Sequence, residues 1–289
     1  MSTTALEATA PGAGRIEVRP RRVTSGKTIS NLVLLGFGVL FAAPLLWLLF
    51  ASVDSHAGAT LQWPHFTLSN FSGAASSQNM QALLNSFYIS LIATIISTVP
   101  AALAAYVFSR HHIPFKGPLL LFILMLAGVP VTIMIVPVYQ EFTQLNYLSL
   151  VPAAIFLGVT SLPFEIWIIK NFIDAVPADL EEAARLERAK THHVLMRVVV
   201  PVALPGIAAA AIFGFINAWG NFLIPLVLMP DPSQAPSPVA LFGYFGGNGI
   251  HYGEVAAYSI IYSVPIVILY LTMSRLFAGG FAQSGAIRG

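Results

Sequence analysis

Few side chains in this sequence are able to do chemistry, and their types and spacing narrow what that chemistry is. Glu165 stands alone in a long apolar stretch, two positions after Pro163. A single carboxylate among such neighbours either meets a partner or faces a cavity, because leaving it unpartnered in lipid costs at least a few kcal/mol. A second concentration lies downstream, where nine of the chain's 14 basic and 12 acidic residues fall between Asp174 and Arg197. The pairs His111–His112 and His192–His193 consist of adjacent residues, which point apart on a helix, so neither chelates a metal from one face. Gly26-Lys27-Thr28 ends like a phosphate-binding loop, but Arg21 stands where that loop needs its first Gly. The chain has 0 Cys, which excludes thiol catalysis, disulfides and Cys-bearing metal sites. Recognition is left, with no catalytic residue and no metal site expected.

The elements that must position these groups follow from composition. With 56% hydrophobic and 9% charged residues the chain is an integral membrane protein, since a soluble domain carries about 25% charged. Taking about 20 apolar residues per crossing, six segments qualify: 31–51, 86–108, 119–138, 151–172, 204–224 and 256–277. Their length and lack of strict alternation predict helices rather than barrel strands. Residues 1–28 are polar and without apolar periodicity, which predicts a disordered tail ahead of one membrane domain over 29–289. All 14 Lys and Arg residues fall on one side if the N-terminus is cytoplasmic, whereas the opposite loops, about 52–85, 139–150 and 225–255, hold only Asp54, Glu141, Asp231 and Glu254. The positive-inside bias therefore puts both termini in the cytoplasm. Trp63, His65, Phe66, Tyr147, Tyr244, His251 and Tyr252 lie in the external loops, at headgroup depth or against an external partner.

On this orientation the charged island, about 173–203, faces the cytoplasm between crossings four and five. Pro177 suits a helix start and the acids after it suit the dipole. At 100° per residue Leu180, Ala183 and Ala184 share one small apolar face, with Glu181, Glu182 and Arg185 opposite. Thr191 is placed to cap a second helix over 192–200, which Pro201 and Pro205 separate from the fifth crossing. Spacing alone leaves two readings of this helix-turn-helix: a connecting loop with solvated charges, or a docking device.

The residues themselves resemble a known pattern. Glu182-Ala183-Ala184, three residues, a Gly slot, nine residues, then Val198, one residue, Val200-Pro201 match without insertion or deletion the EAA loop of permease subunits of ATP-binding-cassette importers. The Gly slot holds Arg188, which puts a residue that disfavours positive φ at the turn. Asn85-Ser86 with Ala104-Ala105-Tyr106, Trp63-Pro64-His65-Phe66-Thr67-Leu68-Ser69-Asn70-Phe71, Leu162-Pro163-Phe164-Glu165-Ile166-Trp167, Ala218-Trp219-Gly220-Asn221-Phe222 and Gly285-Ala286-Ile287-Arg288-Gly289 resemble, in order, the carbohydrate-importer branch of that family. Gly220-Asn221 departs from the branch by lacking its usual acid.

The resemblance implies an all-α integral membrane fold of six transmembrane helices with a cytoplasmic helix-turn-helix between helices four and five. It implies a permease for a sugar or sugar-like solute, coupled to a separate ATPase through Glu181, Glu182, Ala183, Ala184, Leu186, Arg188 and Ala189. Glu165, Asn85, Asn217, Trp219 and Asn221 are the candidates to line the path, since sugars take hydrogen bonds on hydroxyls and stack their apolar faces on aromatics; interhelical hydrogen bonding explains the Asn residues equally well. The implied partners are a second, related permease, an ATPase dimer that holds the ATP and Mg, an extracellular solute-binding protein and membrane lipid, but no nucleic acid. The membrane implied is the bacterial or archaeal cytoplasmic one. Two other classes compete. An ion-coupled secondary transporter needs an internal repeat with paired interrupted helices, and a membrane-embedded transferase needs clustered acids or His at one membrane face.

Overall fold

The computed structural model describes residues 24–245 and 249–285, with side chains for 30–245 and 249–273. The expected tail of residues 1–28 lies outside the described residues as far as position 23, and from Thr24 onward the chain is already helical. Two units divide the chain, Met1–Leu46 and Trp47–Gly289. The first is the larger part of helix α1 (Thr24–Ser52), apolar on every side along Leu32–Leu46 and containing Pro44.

The second unit holds α2 (Ser69–Ala74), α3 (Ser77–Arg110), α4 (Lys116–Leu126), α5 (Val131–Gln144), α6 (Leu150–Asp174), α7 (Ala178–Leu186), α8 (Thr191–Val194), α9 (Val200–Trp219), α10 (Leu223–Leu228), α11 (Ser237–Gly243) and α12 (Tyr252–Gly285). Among the described residues five helices are long and apolar enough to cross a membrane, and the pair α4–α5, bent by 79°, counts as a sixth when taken as one span. The third crossing, expected as a single segment over 119–138, is thus not one straight helix but two with a sharp bend between them. Gly128 and Pro130 sit in the break, where one adds backbone freedom and the other removes a donor.

The core is built on α3, which packs chiefly against α6 and α9. A stripe of small buried residues runs down α3, from Ala82, Ser86 and Ser90 through Ala93 and Ser97 to Ala101 and Ala105. It is answered by Ala153, Ala154 and Gly158 on α6 and by Ala203, Gly206, Ala210, Gly214 and Ala218 on α9. In lipid, helices associate through close van der Waals contact rather than by expelling water, so small residues at the seam are what allow the backbones together. At Gly158 a β-carbon would lie 2.7 Å from the Ala93 carbonyl oxygen. Ile166, Ile169 and Ile173 then fill the inner half of the seam with Tyr106 and Val199.

Pro201 and Pro205 do not separate the second cytoplasmic helix from the fifth crossing. A π-helical turn, Leu195–Val199, joins α8 to α9 and makes one apolar helix, Thr191–Trp219. Its closing bond runs from the Val200 N–H to the Leu195 oxygen, one residue wider than α spacing. The wider turn falls immediately before Pro201, where the ring needs room and the ladder has no donor to lose. Lys190, not Thr191, occupies the cap position, without a side-chain hydrogen bond.

After α1, Asp54 pairs across a single antiparallel bridge with Phe66. Its carboxylate accepts from Gln62 Nε2 at 2.7 Å and from the His56 and His65 backbone N–H groups at 3.0 Å. The Gln62 amide first, then the His56 N–H, hold this carboxyl below its ordinary pKa. The Tyr258 hydroxyl lies 2.8 Å from Ser237 Oγ, and Ser86 Oγ accepts from the Ser237 N–H at 2.8 Å, which fastens α11 to α12 and α3.

Candidate coupling site and solute path

Helix α7 starts after Pro177 and carries Asp179 and Glu181 in its first turn, as acids at a helix N-terminus favour. Glu182 and Ala183 are exposed, Ala184 is half-buried, and Leu180 and Leu186 are 45% and 86% exposed. The small apolar face is therefore open. Glu181 departs from the expected arrangement beside Glu182, for it turns inward and is 4% exposed. Its carboxylate accepts from Arg110 Nε at 2.5 Å and from the Tyr106 hydroxyl at 3.1 Å. Arg185, one turn along α7, stands farther from the same carboxylate, at 3.9 Å. A desolvated carboxylate needs a paired cation, and Arg110 in the last turn of α3 supplies it.

The turn after α7 keeps the form that glycine usually gives. Arg188 has φ of 60°, its N–H bonds the Arg185 oxygen at 2.9 Å, and the Ala189 N–H reaches back to the Ala184 oxygen at 3.1 Å. These are the two bonds of a Schellman cap with Arg188 at its left-handed position. Ala189 is half-buried behind it and Arg188 itself is exposed. His192 and His193 do not point apart: their ring centroids lie 4.0 Å from each other. Among the described residues no three His, Cys, Asp or Glu side chains are grouped to hold a metal.

The five path candidates do not converge on one place. Glu165 is fully buried between helices of its own chain, accepting from Ser97 Oγ at 2.7 Å and Thr98 Oγ1 at 2.8 Å of α3, with Gly214 of α9 against it. Asn85, 5% exposed, donates to the Ser233 and Ala235 carbonyl oxygens at 2.9 and 3.2 Å and so holds the segment between α10 and α11. Asn221 Oδ1 accepts from the Ile224 N–H at 3.0 Å and caps α10. Trp219 is buried between Phe215 and Tyr262, with ring centroids 5.6 and 5.2 Å away, and its backbone oxygen accepts from the Tyr262 hydroxyl. Its indole N–H is buried without a hydrogen-bond partner among the described residues. Asn217 alone of the five is exposed. Arg110, Tyr106 and Tyr262 were not singled out from the sequence; the signal for Arg110 was its place as a lone cation at the end of a crossing.

Residues 88–279 match the family model described as "Binding-protein-dependent transport system inner membrane component". A sulfoquinovosyl glycerol transport system permease protein of Agrobacterium fabrum is 30% identical over 249 residues, 84% of this chain and 87% of its own. A diacetylchitobiose uptake system permease protein of Streptomyces coelicolor is 31% identical over 266 residues, covering 88% and 87%. Among solved structures, a chain of a bacterial ABC transporter involved in the import of the acidic polysaccharide alginate matches at a TM-score of 0.75 and 20% identity, covering 89% of this chain and 98% of that one. That likeness bears on the fold. With the family model spanning most of the chain and the helices assembled as described, this chain belongs to the binding-protein-dependent transport system inner membrane component family.

Proposed function

We propose that this permease forms half of the translocation pathway of an ATP-driven sugar importer and that α7 with the Arg188 turn is where a separate ATPase docks. The observation that carries the reading is α7 itself: a short helix with an open, Ala-lined face and an exposed Leu186, closed by a Schellman turn at the position of the family's Glu-Ala-Ala loop. The sugar class is supported by the solutes named for the relatives, a sulfoquinovosyl glycerol and a diacetylchitobiose. ATP and Mg belong to the ATPase, a second related permease completes the pathway, and an extracellular binding protein delivers the solute. Both termini are cytoplasmic on this reading, with the crossings in 29–289 as one domain. Among the path candidates, exposed Asn217 faces the shared pathway, and Glu165, Asn85, Trp219 and Asn221 shape it from behind.

Docking is tested by Ala183→Asp. An unpaired carboxylate in a desolvated interface costs several kcal/mol, and every 1.4 kcal/mol is about tenfold in affinity. Co-purification of the ATPase with a tagged chain is expected to fall at least tenfold, with membrane insertion kept. Undiminished co-purification removes α7 from the interface, and a tagged chain that purifies alone and transports without ATP overturns the importer reading.

A further inference from the structure

Resting on that coupling role, we propose that Arg110, Glu181 and Tyr106 form a fixed joint that hands the movement of α7 to α3, so that all three act as positioning residues for transport. Helix α7 has 9 residues and one buried side chain, Glu181. Its packing neighbours are chiefly α8 and the π turn, and a face of alanines gives little area to hold an orientation. What fixes α7 against the bundle is therefore polar. Arg110 Nε bonds Glu181 Oε1 at 2.5 Å, while the other arm of the same guanidinium bonds the Val176 carbonyl oxygen, in the link between α6 and α7, at 2.7 Å. One planar group thus grips the entry to α7 and the side chain one turn along it, which a flexible point charge cannot do.

The joint is not a solvated surface pair. The side chains of Arg110 and Glu181 are 16% and 5% exposed, so breaking the pair strands a charge away from water. Tyr106, one turn before Arg110, adds its hydroxyl to the other carboxylate oxygen and fixes its rotation. A second contact braces the same end of α3 against α6: Ser109 Oγ donates to Asp174 Oδ1 at 2.6 Å, while Lys170, one turn earlier on α6, holds the other oxygen of that carboxylate at 2.5 Å. Helix α3 in turn is the one on which α6 and α9 pack. Displacing α7 therefore pulls directly on the central helix of the bundle, beyond its chain connection to α6.

The test uses the assembled importer in proteoliposomes, with two readouts: the ATPase retained by the permeases, and ATP hydrolysed per solute imported. With Glu181→Gln or Arg110→Gln the ATPase is expected to stay bound while ATP spent per solute rises at least fivefold. Tyr106→Phe, which removes one hydrogen bond and no charge, is expected to raise it about twofold. An unchanged ratio in the two charge variants overturns the joint. So does loss of the ATPase in parallel with uptake in Glu181→Gln and Tyr106→Phe alike, which makes the cluster a folding or docking element. If the unaltered chain retains no ATPase, the coupling reading itself fails and the joint falls with it; retention by the unaltered chain with a flat ratio in the variants sinks the joint alone.

Discussion

Arg188 adopts the left-handed conformation that its place in the motif assigns to glycine, with φ of 60°. For an L-residue this costs roughly 1–2 kcal/mol, against which a glycine loses up to about 1 kcal/mol through the greater freedom of the unfolded chain. Arg188→Gly is therefore expected to stabilise the purified chain by about 0.5–1 kcal/mol, and Arg188→Val to destabilise it by roughly 1–2 kcal/mol because a β-branched residue tolerates positive φ poorly. Thermal unfolding in detergent measures both, and equal midpoints for the three chains would mean that the turn does not hold that angle. The position of this turn was legible from the residue pattern, but its backbone angle was not, since Arg at that slot argued against it. The inward turn of Glu181 was hidden for another reason. A helical wheel groups Glu181 with Glu182, yet which acid is buried depends on a partner 71 residues away.

At the scale of elements, six crossings could be read from apolar length, because a bilayer imposes that length on each of them. Where the crossings break could not. Apolar composition is continuous through 119–138, so hydropathy passes over the bend between α4 and α5. The prolines at 201 and 205 misled in the other direction, since a proline inside a long helix is accommodated by a local adjustment such as the π turn ahead of Pro201. The small-residue seam is a spacing of three and four that only a partner helix makes meaningful. It carries a test of its own. A β-carbon at Gly214 would run into Glu165 Oε1, and one at Gly158 into the Ala93 backbone. A carboxylate can swing aside whereas a backbone cannot, so Gly158→Ala is expected to destabilise the bundle by about 2–3 kcal/mol and Gly214→Ala by roughly 1 kcal/mol less. Joining Gly214→Ala to Glu165→Ala should recover part of that loss, as the added methyl occupies space the shortened side chain leaves. Strictly additive losses in a double-mutant cycle would refute the contact.

For the molecule as a whole, the distribution of Lys and Arg predicts which end of each crossing is cytoplasmic, and the lack of cysteine provides a clean background to check it. A single Ser77→Cys is expected to react with a membrane-impermeant maleimide added outside intact cells, and a single Leu186→Cys only after the membrane is opened. Reversed labelling would invert every loop assignment, and with it the docking of α7. Solute identity is not legible at this scale, because Glu165, Asn85 and Asn221 are spent on holding the protein's own segments together and Asn217 alone of the candidates is exposed. The π turn before Pro201 has a mechanical corollary. Since it joins α8 to α9, the 29 residues of Thr191–Trp219 form one continuous helix about 43 Å long at ~1.5 Å per residue. To the extent that it moves as one body about its middle, a tilt of roughly ten degrees carries its two ends about 4 Å in opposite directions, so on the proposed coupling the stack around Trp219 shifts when the end beside α7 is pushed.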